Sequence, residues 1–420
     1  MNDIKRTGMY VVKEGRAMQY LFTERAHLMC PNMCFGIVMV VSWSYNASKI
    51  RATIAALTEA HPFLKAVLKF TAENKAYYHI TERSQVELLL QDQEVRAIDD
   101  ASVMAEYERL TSRDWNLLED GLLKVAAWPM GGQTCFLLVF HHLLADGRGA
   151  LGLAQELADH YALGVQPHPV EEQLIASKQD MPADSELPFI SRTLVRRANK
   201  TWVKEKQKLT YQAYHACAEA FLEKDVIKHE IAHVPQEELD QILKSCHEHE
   251  VTLNDYLLAE MMIKEGTEKV IMACDLRERL PKYKEGALGN YSTAFSVVIK
   301  QKKKDLFVLA KAVHKQVRKI MEDPSALWLV LQCYADLDPG LLDAAWISCQ
   351  GDFPSKAGKF IGSMFFGFTA AKGHSITNLG RMESRSITEG FFIPPASPAI
   401  KKTLGVLTVN GTMTVCSSER

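Results

Sequence analysis

The stretch that decides the fold is Phe136-Leu137-Leu138-Val139-Phe140-His141-His142-Leu143-Leu144-Ala145-Asp146-Gly147. It begins as an apolar strand, runs into two adjacent histidines and continues, after three apolar residues, to an aspartate and a glycine. Adjacent side chains of a strand point to opposite faces, so His141 and His142 cannot do the same job. Since neutral imidazole suits proton transfer near pH 7, we expect one base and one structural neighbour. The plain alternative is a buried histidine pair at a strand end.

Strands and helices alternate on both sides of this stretch. The apolar run 36–42 is too short for a helix and predicts a buried strand. Residues 48–60 and 149–163 carry apolar residues at helical spacing, so we predict a helix before the histidine strand and another after it. The first half is therefore an α/β unit.

The second half repeats this mixture after a segment, 164–186, whose prolines disfavour continuous helix or inner strand and make it the best linker. Its predicted elements are strands at 227–234, 269–274 and 292–300, helices at 236–248, 253–264 and 305–321, and a hairpin of strands 403–409 and 412–417 around Asn410-Gly411. The aromatic segment 360–370 is interpreted first as a buried strand and second as the wall of a substrate tunnel.

Composition bounds the class of protein. The chain has 420 residues, 47% of them hydrophobic, and a single core stops growing at roughly 250–300 residues, so we expect two cores. A formal net charge of −2 gives no reason to expect nucleic acid or an anionic membrane as a general partner. The basic run 189–209 is interpreted as a solvated helix face, with a docking surface for phosphate or an acidic carrier protein as the alternative.

Location and redox state follow from what the sequence lacks. No apolar stretch approaches the roughly 20 residues that span a bilayer, and residues 1–6 lack the apolar core of a signal peptide. Nine cysteines without a framework suit reduced thiols. We therefore expect a cytoplasmic protein without a transmembrane segment.

Metal and nucleotide chemistry find little support. Neither Cys30 and Cys34 near His27 nor the run 246–249 offers a full set of zinc ligands at the usual spacing, so we predict no metal. No Gly-x-Ser-x-Gly elbow is present, and no glycine-rich segment matches a phosphate-cradling loop. We expect no bound cofactor.

The motif His-His-x-x-x-Asp-Gly at His141, His142, Asp146 and Gly147 resembles the signature of the acyltransferase superfamily related to chloramphenicol acetyltransferase, which includes condensation domains. Further segments resemble the family in the same order, namely His61-Pro62-Phe63-Leu64, residues 251–258, Asp275-Leu276-Arg277, Leu288-Gly289-Asn290-Tyr291 and Ser375-Ile376-Thr377-Asn378-Leu379-Gly380. The Asp-Phe-Gly-Trp-Gly motif of the plant enzymes is absent. The chain is most similar to free-standing alcohol or polyketide-associated acyltransferases.

The resemblance implies a fold of the α/β class, in which two mixed-sheet sandwiches form a pseudo-dimer with a tunnel between them. It divides the chain into an N-terminal subdomain (1–165), a linker with a connecting helix (166–225) and a C-terminal subdomain (226–420). An internal pseudo-dimer also suits a monomer.

The resemblance also assigns roles. His142 is the general base, and Asp146 is structural, as are His141 and Gly147. An unpaired buried carboxylate is costly, so Arg277 is the candidate partner of Asp146. Gly147 allows a tight turn or a positive φ. Asn290, Ser292 or a backbone amide could stabilise the oxyanion or contact the substrate.

Three functions remain open at this point. The first is an acyltransferase that moves an acyl group from a coenzyme A thioester, its co-substrate, to a hydroxyl or amine of a small-molecule or lipidic acceptor. The second is a condensation enzyme that takes the acyl group from an acyl or peptidyl carrier protein. The third is a binding member of the same fold without catalytic activity.

Overall fold

A computed structural model of the chain describes residues 12–13, 16–17, 19–300 and 305–420, the first two pairs by their backbone alone. The expectation for residues 1–6 lies outside the described residues. No helix in the described part of the chain is both long and apolar enough to cross a bilayer.

Sixteen strands and twelve α-helices make up the described structure. The strands are β1 (Val12–Lys13), β2 (Arg16–Ala17), β3 (Gln19–Tyr20), β4 (Cys34–Val41), β5 (Ala66–Phe70), β6 (Ala76–Ile80), β7 (Glu87–Leu90), β8 (Leu123–Met130), β9 (Gln133–His141), β10 (Lys228–Val234), β11 (Lys269–Asp275), β12 (Ser292–Val298), β13 (Gly373–Met382), β14 (Ile387–Ile393), β15 (Ile400–Val409) and β16 (Thr412–Glu419). The helices are α1 (Ala47–Ala60), α2 (Ala101–Thr111), α3 (Gly147–Leu163), α4 (Phe189–Glu205), α5 (Tyr211–Leu222), α6 (Gln236–Glu248), α7 (Leu253–Lys264), α8 (Leu306–Glu322), α9 (Pro324–Leu327), α10 (Leu329–Asp336), α11 (Pro339–Gln350) and α12 (Lys356–Ile361).

The first lobe is built on a five-stranded sheet with the order β14-β4-β9-β8-β7. The histidine strand, β9, lies at its centre between two antiparallel neighbours, β4 and β8. Eight of its nine residues are buried, which explains why the sequence is apolar without alternation. Helices α1 and α3 pack against each other, and α3 also packs against β4. This packing fixes the strand end that carries the histidines.

The second lobe is built on a six-stranded mixed sheet with the order β10-β16-β15-β13-β11-β12. Helices α7 and α8 pack on β11 and β12. One strand, β14, leaves this lobe and pairs with β4 of the first sheet. The division at 1–165, 166–225 and 226–420 stays a prediction, and one strand of its last segment completes the sheet of its first.

Most predicted elements are confirmed, with shifts of one to three residues at several ends. The prediction of a linker is supported, because 164–186 contains only two 3₁₀ turns, Lys178–Asp180 and Ala183–Ser185. The hairpin is confirmed, and both Asn410 and Gly411 adopt positive φ, as a tight hairpin turn requires.

The prediction of a buried strand at 360–370 is wrong. The segment continues α12 and then forms a π-helical turn, Gly362–Phe366. Ser355 caps α12 by accepting a hydrogen bond from the Gly358 amide, and α12 packs on α11. Gly362 allows close contact, since a Cβ there would lie 2.3 Å from the Ala345 carbonyl oxygen. Capping and packing thus override the strand preference of the aromatic residues.

Candidate active site

The two histidines occupy different surroundings because the chain leaves the sheet between them. The His141 amide donates to the Leu122 carbonyl oxygen at 3.0 Å, and the His142 amide donates to that of Met33 at 2.8 Å. The Leu143 amide donates to Nδ1 of His141 at 3.2 Å. His141 is buried within the first lobe, whereas His142 reaches the second.

Asn290 makes two hydrogen bonds to His142, one with its ring and one with its backbone carbonyl. The Asn290 Nδ2 group donates to the His142 carbonyl oxygen at 2.7 Å, and Oδ1 lies 2.7 Å from Nδ1 of His142. A carbonyl only accepts, so the amide nitrogen must face it and Oδ1 must face the ring. Nδ1 of His142 therefore carries the proton, and its Nε2 keeps the lone pair. That is the tautomer a general base needs.

Two aromatic rings pack on His142. The ring of His27 stacks on it, with centroids 4.4 Å apart and planes 22° apart. The ring of Phe35 meets it edge-on at 5.3 Å. No motif marks His27 in the sequence. It ends the 3₁₀ turn Thr23–His27, and only the folded chain brings it to the site.

Burial keeps the three imidazoles neutral. It lowers the pKa of His142, an effect that Asp146 and Asn290 partly offset. Burial, with a smaller contribution from His142, lowers the pKa of His141 to about 3. Burial and the two other histidines hold the pKa of His27 well below its usual value. Neutral His142 is thus available as a proton acceptor at pH 7.

Asp146 connects the two lobes. Its oxygens accept from Arg277 Nη2 at 2.7 Å and Nη1 at 3.1 Å, and from the amides of Gly149 and Tyr291 at 2.9 Å each. Burial alone would raise the pKa of Asp146, but these donors more than offset it, so the pKa is lowered. The carboxylate stays ionised because these four donors, two of them on Arg277, stabilise its charge.

Asp146 also positions the segment that carries Asn290. The Asp146 amide donates to the Gly289 carbonyl oxygen at 3.0 Å, and its Oδ2 accepts from the Tyr291 amide. Both neighbours of Asn290 are therefore tied to Asp146. Ser292 begins β12, where it pairs with Asp275. Within the described residues it has no hydrogen bond to His142.

The sequence allowed either a tight turn or a positive φ at Gly147. Its φ is not positive, which excludes the second of these options. Gly147 is instead the first residue of α3, and a Cβ there would lie 2.5 Å from Cδ2 of Leu379. Leu379 is itself buried and cannot easily move aside. Glycine is needed here for space between the lobes.

A cavity of about 220 Å³ is lined in part by His141, whereas neither His142 nor Asn290 belongs to its wall. Its wall includes Trp115, Asp114 and both cysteines of the 30–34 segment, Cys30 and Cys34. All nine cysteines of the chain are free. In residues 19–300 and 305–420, no three histidine, cysteine or acidic side chains are arranged to hold a metal ion. The continuous tunnel between the lobes stays a prediction.

Comparison with known proteins identifies the family of this chain. The sequence model of the condensation domain matches residues 32–326. The chain belongs to the condensation-domain family. The matched segment contains the histidine motif, Arg277 and Asn290. No curated protein sequence matches the chain closely enough to count as a relative.

Solved structures show that the two-lobe fold of this condensation-domain protein is shared. It is similar to the epimerization domain from the third module of tyrocidine synthetase B (14% identity, 95% of this chain and 88% of that chain covered, TM-score 0.56). Polyketide synthase associated protein 5 from Mycobacterium tuberculosis matches with 13% identity, coverage of 96% and 92%, and TM-score 0.54. The condensation domain of Monacolin K polyketide synthase matches with 12% identity, coverage of 96% and 92%, and TM-score 0.56. The predicted fold class is confirmed.

Proposed function

We propose that this condensation-domain protein is an acyltransferase that moves an acyl group from a coenzyme A thioester to a hydroxyl or amine acceptor, with His142 as general base. The observation that supports the proposal is the pair of hydrogen bonds between Asn290 and His142, in which Nδ1 of His142 donates to Oδ1 of Asn290 and Nε2 is left unprotonated. The acceptor is a small or lipidic molecule, and the enzyme acts in the cytoplasm as a monomer.

The reaction needs one base that returns its proton. Nε2 of His142 takes the proton from the acceptor as its oxygen or nitrogen attacks the thioester carbonyl carbon. When the tetrahedral intermediate collapses, the carbon–sulfur bond breaks and the leaving thiolate recovers the proton from Nε2. The rest of the rate gain comes from holding two substrates in line.

Asn290 supports this chemistry as a positioning residue in our proposal. Both polar atoms of its side chain already bond to His142, which favours this role over donation to the oxyanion. The oxyanion donor is then Ser292 or a backbone amide, either of which could supply a hydrogen bond as negative charge develops on the carbonyl oxygen.

A carrier-protein thioester is the alternative acyl donor. The chain belongs to the condensation-domain family, and one of its structural matches is a condensation domain of a polyketide synthase. A carrier-protein thioester would use the same base and the same collapse of the intermediate. The alternative proposal is therefore a carrier-dependent condensation enzyme that forms an ester or an amide.

The test is mass-spectrometric detection of free coenzyme A and acylated product. The purified protein is incubated with short-, medium- and long-chain acyl-coenzyme A and a pool of alcohols and amines, beside His142→Ala and, as a matched control, His247→Ala on the exposed side of α6. We expect His142→Ala to lose about 10²–10⁴-fold in turnover and the control to keep it.

Each other outcome excludes one reading. Product only from a carrier-bound thioester would transfer the donor role to a carrier protein. Full turnover by folded His142→Ala would refute the role of His142. No turnover with either donor, while both proteins are folded, would leave a binding function without catalysis.

A further inference from the structure

Helix α4 turns one side to the protein and the other to solvent. Its buried residues are Val195, Ala198 and Trp202, and it packs on α10 and α12. At 3.6 residues per turn, its exposed residues fall on the opposite side within an arc of about 140°. This outward face of α4 consists of Phe189, Ile190, Thr193, Arg196, Arg197, Lys200, Val203 and Lys204.

The outward face carries positive charge without a partner. Arg196, Arg197, Lys200 and Lys204 form no ion pair within residues 19–300 and 305–420. The carboxylate of the helix, Glu205, points elsewhere. Its oxygens accept from the hydroxyl of Ser355 at 2.6 Å and from the amides of Lys356 and Ala357 at 2.9 and 3.1 Å, which caps α12. No acid on α4 therefore neutralises the four cations.

The charge is strongly local. Residues 189–208 contain seven lysines and arginines and one glutamate, a net charge of +6, whereas the whole chain has a net charge of −2. The remaining residues are thus acidic overall, with a formal charge of −8. A concentration of this kind directs the protein toward anionic surfaces from one side.

Large apolar side chains share the same face. Phe189 is 81% exposed, Ile190 is 72% exposed and Val203 is 67% exposed. Phe189 and Ile190 lie at the start of the helix and Val203 near its end, and three of the four cations, Arg196, Arg197 and Lys200, lie between them. Adjacent exposed apolar side chains such as Phe189 and Ile190 mark a surface that meets a partner.

We propose that the outward face of α4 docks this protein on an anionic lipid surface. The face is a convex helix, and a bilayer boundary accepts its apolar side chains among the acyl chains and its cations among the headgroups. An acidic protein would match the cations, but it would need separate pockets for three apolar side chains spread along the helix. Docking is peripheral and is independent of the acyl transfer proposed above.

The test is co-sedimentation of the full chain with vesicles of phosphatidylcholine, with and without phosphatidylglycerol. Binding requires the anionic lipid and weakens with salt. The triple variant Arg196→Gln, Arg197→Gln and Lys200→Gln reduces the partition coefficient by about fivefold per charge, on the order of 100-fold in total. Phe189→Ser with Ile190→Ser reduces it by about tenfold or more.

A matched control removes the same charge from another exposed helix. The control is the triple variant Lys311→Gln, Lys315→Gln and Lys319→Gln, whose three lysines lie on the exposed side of α8. It leaves vesicle binding unchanged if α4 is the docking face. Equal loss in both triple variants, with circular dichroism showing folded chains, would overturn the assignment to α4. Failure of the wild type to bind either vesicle, with binding to an acidic carrier protein, would give the face to a protein partner and overturn the lipid proposal. Neither readout involves acyl transfer, so the two proposals fail separately.

Discussion

Replacing Asn290 by alanine tests how the base is prepared. The variant removes two hydrogen bonds to His142, each 2.7 Å long. A net value of about 0.5–1.5 kcal/mol for each gives about 1–3 kcal/mol in total. If that energy holds the ring in its reactive tautomer and orientation, kcat falls by about 5- to 150-fold. KM changes little, because our proposal gives Asn290 no contact with either substrate.

Two measurements check this expectation. The turnover of Asn290→Ala is compared with that of a control variant, Asn199→Ala. Asn199 also makes two hydrogen bonds, to the backbone of Asp336 and Asp338, but it lies on α4. Nitrogen-15 NMR of the His142 ring shows which nitrogen carries the proton. Equal activity of the two variants, or a wild-type ring protonated at Nε2, would refute the reasoning.

Three further predictions concern the surroundings of His142. Asp146→Ala removes the carboxylate that accepts four hydrogen bonds, while Arg277 keeps its second partner, Asp275, at 3.0 Å. Chemical denaturation should therefore show a loss of at least about 1.5–3 kcal/mol in unfolding free energy; an unchanged midpoint would contradict a structural role. The pKa of Asp146 is lowered in the folded protein, so the stabilisation by its carboxylate is complete above its unfolded pKa of about 3.9 and is lost as the pH falls through the folded value. Acid denaturation of the wild type should therefore show a loss of stability over this range that Asp146→Asn does not show. His27→Phe keeps a ring stacked on His142 and retains turnover, whereas His27→Ala removes the stacked ring and loses several-fold, on the order of the roughly 0.5–1.5 kcal/mol of an aromatic pair. Equal loss in both variants would show that the His27 nitrogens take part.

Local sequence patterns predict the elements that carry the site. The apolar run before His141 predicts a buried strand whichever strands lie beside it. Asn410 and Gly411 predict a hairpin because both readily adopt the positive φ that they have in the structure. Helices with one apolar side, such as α6, can be predicted equally well from the spacing of their apolar residues. Helix α11 cannot, because all eight residues from 341 to 348 are buried and no polar side reveals its period.

Contacts across the lobes are harder to predict. Asp146 and Arg277 are 131 residues apart in sequence, and the pairing could be suggested because a buried carboxylate needs a cation. Asn290 was marked by resemblance, but its bonds to His142, 148 residues away, depend on how the lobes dock. No local sequence pattern marks His27. Stacking of two neutral rings requires only an aromatic side chain at each position, and many other residues of the chain meet that condition.

Stability and chemistry meet at Asp146. Its amide and its Oδ2 hold the residues on either side of Asn290, and Asn290 in turn fixes the proton on Nδ1 of His142. A folded Asp146→Asn variant that lost activity would therefore not by itself show that the carboxylate takes part in the reaction. The His142 ring distinguishes the two readings. If Asp146 acts through Asn290, nitrogen-15 NMR of this variant will show a mixture of His142 tautomers, whereas a direct role would leave the ring protonated at Nδ1 while turnover fell.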